Sequence, residues 1–351
     1  MTSSLDRNPP RLTALVLAVG LALALGCGPA PIEQPSPDAG SGLDAGSSDT
    51  GAGQDAGLAR DAGAGDDAGP GSDAGVPVDA GTAPDAGSGS RVPVRLLAGN
   101  LTSGATQTYD TGEGIRIFQG LLPDIALIQE FNYGDNSPAA LREFVDTAFG
   151  PEFEYHRESQ ATDTLPNGIV SRYPILQAGE WEYAGDRDLA WARIDVPGSG
   201  DLWAVSVHLL TASTSDRNRG ARIAVERLSE LMSPGDLLVF GGDLNTARRD
   251  EFCITVLADL FHIAAPYPAD QDGNTNTSAP RSKPLDWLLV SPNLQARAVP
   301  VLIGDNSFAD GLVFDSRVYT PLYDVEPVLE ADSDALNMQH MALVRDFELF
   351  E

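Results

Sequence analysis

Seven residues with amide, carboxylate or imidazole side chains stand where apolar runs begin or end: Asn100, Glu130, His208, Asp243, Asn245, Asp286 and His340. Asn100 closes Leu97-Ala98-Gly99, and Glu130 follows Ile125-Ala126-Leu127-Ile128-Gln129. A carboxylate at a core edge is costly unless a cation pairs with it, and an all-oxygen ligand set with bound water is what Mg2+, or Mn2+, prefers. Asn100 and Glu130 are therefore the candidate metal ligands. The run Leu237-Leu238-Val239-Phe240 leads into Gly241-Gly242-Asp243-Leu244-Asn245, where a spacing of two puts Asp243 and Asn245 on one face. Two glycines let the backbone approach a ligand closely, and the two oxygen-bearing groups suit a positioned water beside a phosphate. His208 sits near the end of an alternating run from Trp203, where a lone imidazole is more often a core residue with its hydrogen bonds met. Asp286 enters the run to Val290, and His340 precedes Met341 to Phe347. An Asp facing a His orients the ring and favours its charged form, which stabilises negative charge on a phosphate.

These residues need a rigid scaffold that displays strand ends together. Apolar runs between turn signals predict strands at about 94–100, 125–130, 153–158, 168–172, 189–196, 202–209, 237–243, 285–290, 299–303 and 341–347. Helices fit about 114–122, 138–149, 216–232 and 249–259. In the helix from Asp216, Ile223, Leu228 and Leu231 share one side, leaving Arg217, Arg219, Arg222 and Arg227 on a polar side. Asp305 to Asp315 reads as a loop, and Asp315 to Pro321 as a strand and turn. Many strands with few helices, in an order that does not strictly alternate, predict two packed sheets with helices on their outer faces: a mixed α/β sandwich.

In this order the blocks resemble the endonuclease/exonuclease/phosphatase superfamily, whose members include deoxyribonucleases, apurinic endonucleases, neutral sphingomyelinases and inositol-phosphate phosphatases. Asn100 matches the first-strand asparagine and Gln129-Glu130 the Gln-Glu metal motif. Asn167-Gly168 with Ser171-Arg172-Tyr173-Pro174-Ile175 matches the middle block, His208-Leu209 the His-Leu motif, Gly242-Asp243-Leu244-Asn245 the Gly-Asp-Phe-Asn block, and Asp286-Trp287 the strand-entry aspartate. The resemblance covers about Val94 to Phe347 and implies a deoxyribonuclease I-like four-layer α/β sandwich of two mixed β-sheets flanked by helices. It further implies Glu130 and Asn100 on Mg2+ or Mn2+, Asp243 activating water, and Asn245 holding the phosphate. Asn167 and Arg172 are further substrate contacts, and His208 with the Asp286-His340 pair stabilises developing charge. One departure stands out: the family's Ser-Asp-His is here Met338-Gln339-His340, an amide in place of a carboxylate that contributes to the metal environment in some relatives. Its loss bears on a second metal site and on full activity, with Asp332 or Asp334 as candidate replacements.

Ahead of this domain, 91–351, the chain changes character. Leu12 to Gly26 is an apolar run after Arg7 and Arg11, too short to span a bilayer, and Leu23-Ala24-Leu25-Gly26-Cys27 resembles the lipobox of bacterial lipoproteins. Residues 1–27 are thus read as a signal peptide with Cys27 as lipid anchor, which implies an exported protein tethered to membrane at the cell envelope or surface, or secreted. Residues 28–90 repeat Asp-Ala-Gly every six residues from Asp55 to Asp85 with no aromatic residue, and read as an extended tether. The net charge is −29, and the part after residue 90 carries 39 acids against 19 bases. Such a surface gains nothing from the counterion release that drives non-specific nucleic-acid binding, while it suits metal cations. Cys253, in an apolar stretch, reads as a small buried hydrophobe. Arg172, Arg187 and Arg193 can contact a phosphate, although a strand arginine more often lies at the surface.

These readings give a metal-dependent phosphoesterase, a monomer whose partner is a phosphate-ester substrate. Nucleic acid comes first, then a phospholipid or sugar phosphate as in sphingomyelinases and phosphoinositide phosphatases. The alternative of another class, resting on Gln339, is a surface binding protein that keeps the fold with weakened catalysis.

Overall fold

Alternate side chains along the strands go to different cores, which is what period-two patterning requires of a sheet covered on both faces. Leu96, Ala98, Ile125, Leu127, Ile169 and Leu343 join one apolar cluster, while Leu97, Ala126, Ile128, Val170 and Val344 join another. The computed structural model describes residues 90–159 and 164–350, so the readings for 1–27 and for 28–90, all but its last residue, lie outside the described residues.

Strands β1 (Arg91–Gly99), β2 (Ile125–Ile128), β3 (Glu154–Arg157) and β4 (Gly168–Ser171) come first, with helices α1 (Glu113–Leu121) and α2 (Pro138–Ala148) between them. Next come β5 (Ile175–Trp181), β6 (Leu189–Ile194), β7 (Leu202–His208), β8 (Leu237–Asp243) and β9 (Asp286–Val290), with α3 (Thr214–Leu231) and α4 (Phe252–Leu257). The C-terminal part holds α5 (Pro292–Gln295), β10 (Ala298–Val299), β11 (Val301–Ile303), β12 (Asn306–Phe308), β13 (Leu312–Phe314) and β14 (Ala342–Phe350). One sheet runs β10-β14-β1-β2-β4-β3 with β13 also on β14, and the other runs β5-β6-β7-β8-β9. Both mix parallel and antiparallel pairs.

Three clusters separate four layers. The first packs Phe118, Leu121, Phe144 and Val145 of α1 and α2 on one sheet, and the second lies between the sheets. The third packs Ala221, Ala224 and Leu228 of α3 and Ile254 and Leu257 of α4 on the other sheet. This is the two-sheet α/β sandwich expected from the sequence. Strand β1 crosses it from end to end: Arg91 pairs with Phe350 at one pole, and Asn100 follows Gly99 at the other.

Details differ from the sequence reading. Strand β5 was not foreseen because it is an edge strand whose Leu176, Gln177, Ala178 and Gly179 face outward or meet little of the core. The span read as a loop, Asp305 to Asp315, contains β12 and β13, each of three residues and too short for a periodic signal. Asp315 to Pro321 is turn rather than strand, held by Val318 N and Tyr319 N donating to Asp315 O.

Helix α3 starts at Thr214, because Ser213 Oγ accepts from Asp216 N at 3.2 Å. Its buried face is Arg217, Gly220, Ala221, Ala224 and Leu228, with Leu231 44% exposed. Small residues let the helix close on the sheet, and Arg217, assigned to the polar side, instead forks onto buried Glu251 at 2.7 and 3.0 Å. Breaking a buried ion pair strands the other charge, so Arg217→Met should cost about 3–5 kcal/mol of unfolding free energy in urea titrations. A loss below about 1 kcal/mol, the usual worth of an exposed pair, would refute this account of the α3–α4 contact.

Candidate active site

Strand register assembles the site. Strands β7 and β8 run parallel and pair His208 with Asp243, and antiparallel β9 pairs Asp243 with Asp286, giving a row of three across one sheet. In the other sheet β1 and β2 run parallel and pair Gly99 with Ile128, so Asn100 and Gln129-Glu130 leave at the same end. Strand β14 pairs Leu343 with Ala98, which brings His340 to that end as well. The sheets are tied there by Gln129 Nε2 donating to Ser206 Oγ at 2.9 Å, and by Ser206 Oγ donating to the Ile128 carbonyl at 2.9 Å. Gly242, at φ +130°, turns just beneath; a Cβ there would overlap the Val207 carbonyl and the Gln129 amide.

Glu130 is buried at φ +49°, and its carboxylate meets neutral donors: Asn100 Nδ2 at 3.0 Å on Oε1 and Thr102 Oγ1 at 3.0 Å on Oε2. The Tyr109 hydroxyl donates to the Gln129 carbonyl at 3.1 Å and accepts from Leu101 N at 3.3 Å, clamping the two loops that carry Asn100 and Glu130. Thr102 and Tyr109 are positioning residues missed from sequence; their signal was proximity to Asn100, with no spacing rule to single them out.

Asp243 lies between two imidazoles, with His208 Nε2 at 3.2 Å and His340 Nε2 at 3.4 Å from Oδ2. His340 Nδ1 is 2.9 Å from Asp286 Oδ2, and Asp286 N donates to Thr277 Oγ1 at 2.8 Å. Burial works against charge on His340, but Asp286 and Asp243 more than offset it and hold the imidazolium up to a pKa of about 10. For His208 burial dominates, countered by Asp243 and reinforced by Arg187 and His340, and its pKa falls to about 4. Burial also raises Asp243, against the lowering effect of the two histidines. At neutral pH one ring is a cation and the other a neutral donor.

The remaining assignments divide. Asn245, at φ +52°, donates Nδ2 to the Leu209 carbonyl at 2.8 Å and its backbone N to Asp243 Oδ1 at 2.9 Å, leaving one amide hydrogen. Asn167 lies at the site's end of β4, but its Nδ2 is spent on Glu158 Oε1 at 2.9 Å and the Asp188 carbonyl at 2.8 Å. Only an acceptor oxygen remains, so Asn167 holds the neighbouring loop and does not donate to a phosphate. Arg172 is corrected outright: Ser171 pairs with Ile125 at the start of β2, and Arg172 forms its ion pair with Asp124 at the opposite pole. Asp332 is occupied by Arg116 at 2.6 Å and exposed Asp334 pairs with Arg317 at 3.4 Å, so neither stands free to replace the carboxylate missing at exposed Gln339. Arg187 gains what Arg172 loses. It is 7% exposed, forks onto Asp186, and lies close enough to His208 to depress its pKa. The charged triplet Asp186-Arg187-Asp188 at the mouth of β6 was its signal in the sequence.

Residues 112–308 match the Endonuclease/Exonuclease/phosphatase family. The chain belongs to that family, whose members hydrolyse phosphate esters and generally use a divalent metal. No curated protein matches it. Among solved structures, an endonuclease/exonuclease/phosphatase from Bacteroides vulgatus is 14% identical at a TM-score of 0.50, covering 74% of this chain and 100% of its own. A functionally unknown conserved protein from Enterococcus faecalis V583 is 11% identical at a TM-score of 0.50, with the same coverage of 74% and 100%. At such identities the likeness bears on fold, and the fold is the family's sandwich.

The donor set fits a divalent cation. Glu130, Asp243 and Asp286 bury three carboxyl groups in one cluster where His340 is the cation in contact, leaving negative charge to compensate. Asp243, Asp286 and His340 also place one ligand atom each within 4.8 Å of one another. A cation bound there through His340 Nε2 must displace the proton that this nitrogen directs at Asp243, whereas Glu130 and Asn100 offer oxygen at no such cost.

Proposed function

We propose that this protein is a divalent-metal-dependent phosphodiesterase acting on nucleic acid, exported and anchored to membrane through Cys27. The convergence of Asn100-Glu130 with His208, Asp243 and the Asp286-His340 pair where the two sheets meet carries the catalytic part of this reading. The Cys27 motif alone supports the anchor.

Glu130 and Asn100 would hold Mg2+ or Mn2+, which when bound would supply electrophilic stabilisation of a phosphoryl oxygen. Asp243, the carboxylate between two imidazoles, takes the proton of the attacking water. His340, charged and oriented by Asp286, donates to the phosphoryl oxygen as negative charge grows there. His208 stays neutral and can donate one hydrogen bond. Asn245 offers its remaining amide hydrogen to the phosphate, and Arg187 adds positive potential behind His208. The water oxygen bonds to phosphorus as the bond to the ester oxygen breaks on the opposite side, the leaving oxygen taking a proton from solvent, and no covalent enzyme intermediate forms.

The experiment is a panel of plasmid DNA, RNA, a chromogenic phosphodiester and sphingomyelin, each with Mg2+ or Mn2+ and with chelator. Metal-dependent cleavage of nucleic acid and of the chromogenic diester is expected, lost in His340→Ala. Cleavage of sphingomyelin alone would move the substrate class to phospholipid, and no cleavage of any ester would leave the surface-binding alternative standing.

A further inference from the structure

Arg249 and Arg345, outside this machinery and at least half-buried, have no carboxylate within ion-pair distance among the described residues. Arg345 is 9% exposed; its guanidinium donates to Gln295 Oε1 at 2.6 Å and the Leu288 carbonyl at 3.4 Å, and lies 5.2 Å from the Phe347 ring centroid. Arg249, half-buried, donates to the Thr275 carbonyl at 2.5 Å and sits 4.0 Å from the Tyr267 ring centroid and 5.0 Å from that of Trp287. Burial pulls both guanidiniums below their ordinary pKa, with only Tyr267 opposing it at Arg249 and Asp310 at Arg345.

A buried guanidinium is usually paired, because an uncompensated charge in a poorly hydrated place is costly. This domain has acids to spare, and its other buried arginines use them: Arg217 on Glu251, Arg187 on Asp186, Arg281 on Asp270 and Asp315. The direct contacts of Arg249 and Arg345 are instead neutral carbonyls, an amide and aromatic faces, with Asp310 acting on Arg345 only through space. Neither guanidinium has a carboxylate within ion-pair distance among the described residues, in a strongly acidic molecule.

Both line one cleft along the outer edge of β9, where His262 bridges Val290, with Tyr267, Thr275 and Gln295. Its cavity is about 30 Å³, and an adjoining one of about 60 Å³ shares His262, Pro266, Gln295 and Arg345. Exposed Asp310 and part-buried Asp346, the latter paired with Arg95, edge the second cavity. Together they have room for a few waters, which suits one small oxyanion. Guanidinium forks match the geometry and charge of phosphate oxygens. The cleft also adjoins the active site: Asp286 borders it, and Thr275 lies two residues before Thr277, which accepts from Asp286 N.

We propose that Arg249 and Arg345 form a second anion subsite that takes a phosphate group, from the neighbouring phosphate of a polyanionic substrate or from free phosphate. The substrate source rests on the phosphodiesterase reading; anion binding itself does not.

Inorganic phosphate is titrated calorimetrically into the full chain and into Arg249→Gln and Arg345→Met. Saturable binding is expected, roughly tenfold weaker in Arg249→Gln, the loss typical of a charge-assisted contact. Arg249 is the more exposed of the two, so its variant carries the test if Arg345→Met does not fold. A raised KM for oligonucleotide with KM unchanged for the chromogenic diester identifies the substrate's second phosphate; weakened phosphate binding with both KM values unchanged identifies free phosphate. Absence of saturable binding, or equal affinity in Arg249→Gln and the unaltered protein, overturns the proposal. Phosphate binding lost in Arg249→Gln while the substrate panel stays negative would sink the phosphodiesterase reading and leave the subsite standing.

Discussion

Asp286→Asn lowers kcat by roughly 10³- to 10⁴-fold at neutral pH, the scale seen when the carboxylate behind a catalytic imidazole becomes an amide. The reason is electrostatic and geometric together. Burial alone would leave His340 neutral, and Asp286, bonded to Nδ1 at 2.9 Å, is the first of the groups that keep it charged to a pKa of about 10. In the unaltered protein, activity that needs the imidazolium persists as pH rises and is lost as pH passes through about 10. Without Asp286 the folded pKa drops, so the alkaline limb moves toward neutrality and the residual rate recovers at lower pH. The same shift governs stability: a raised histidine pKa contributes fully below the unfolded value of about 6.5 and is lost as pH climbs through the folded one. A kcat–pH profile of the variant with its alkaline limb unmoved would remove His340 as the charged group of the reaction.

Glu130→Gln weakens Mg2+ or Mn2+ binding by about 100-fold or more, since even outer partners of a metal ligand are worth 10- to 100-fold. Asn100 and Thr102 hydrogen-bond the carboxylate, and among the described residues His340 acts on it only through space, so the amide removes charge without creating a steric misfit. Metal titrations followed by calorimetry separate the two candidate ligand sets. If the cation sits instead among Asp243, Asp286 and His340, Glu130→Gln leaves affinity nearly intact and Asp286→Asn abolishes it.

Much of this site was legible because it lies at strand ends. Apolar runs predict where strands begin and stop, and Asn100, Glu130, His208, Asp243, Asp286 and His340 each stand at such a boundary. The fold class followed from the same runs. What failed depended on direction and partners. Arg172 belongs to a matching motif, but β4 runs antiparallel to β2, so the motif's first residue, Asn167, reaches the site's end while Arg172 is carried away from it. Asn167 lies at the right end with its donors already spent. Arg217 looked solvated because its partner, Glu251, is distant in sequence, and Arg187 looked superficial because the charged triplet around it does not reveal that it lies near His208. Short strands such as β12 and β13 take their structure from pairing, which local pattern does not encode.

Strand β1 threads the sandwich from pole to pole, nine residues long, so its first and last positions stand roughly 27 Å apart. Ser90, the residue before β1, stands at the pole opposite Asn100 and Glu130. A reporter or an immobilising group grafted there therefore leaves the entrance clear, whereas one grafted onto the turn before His340 would stand in the doorway.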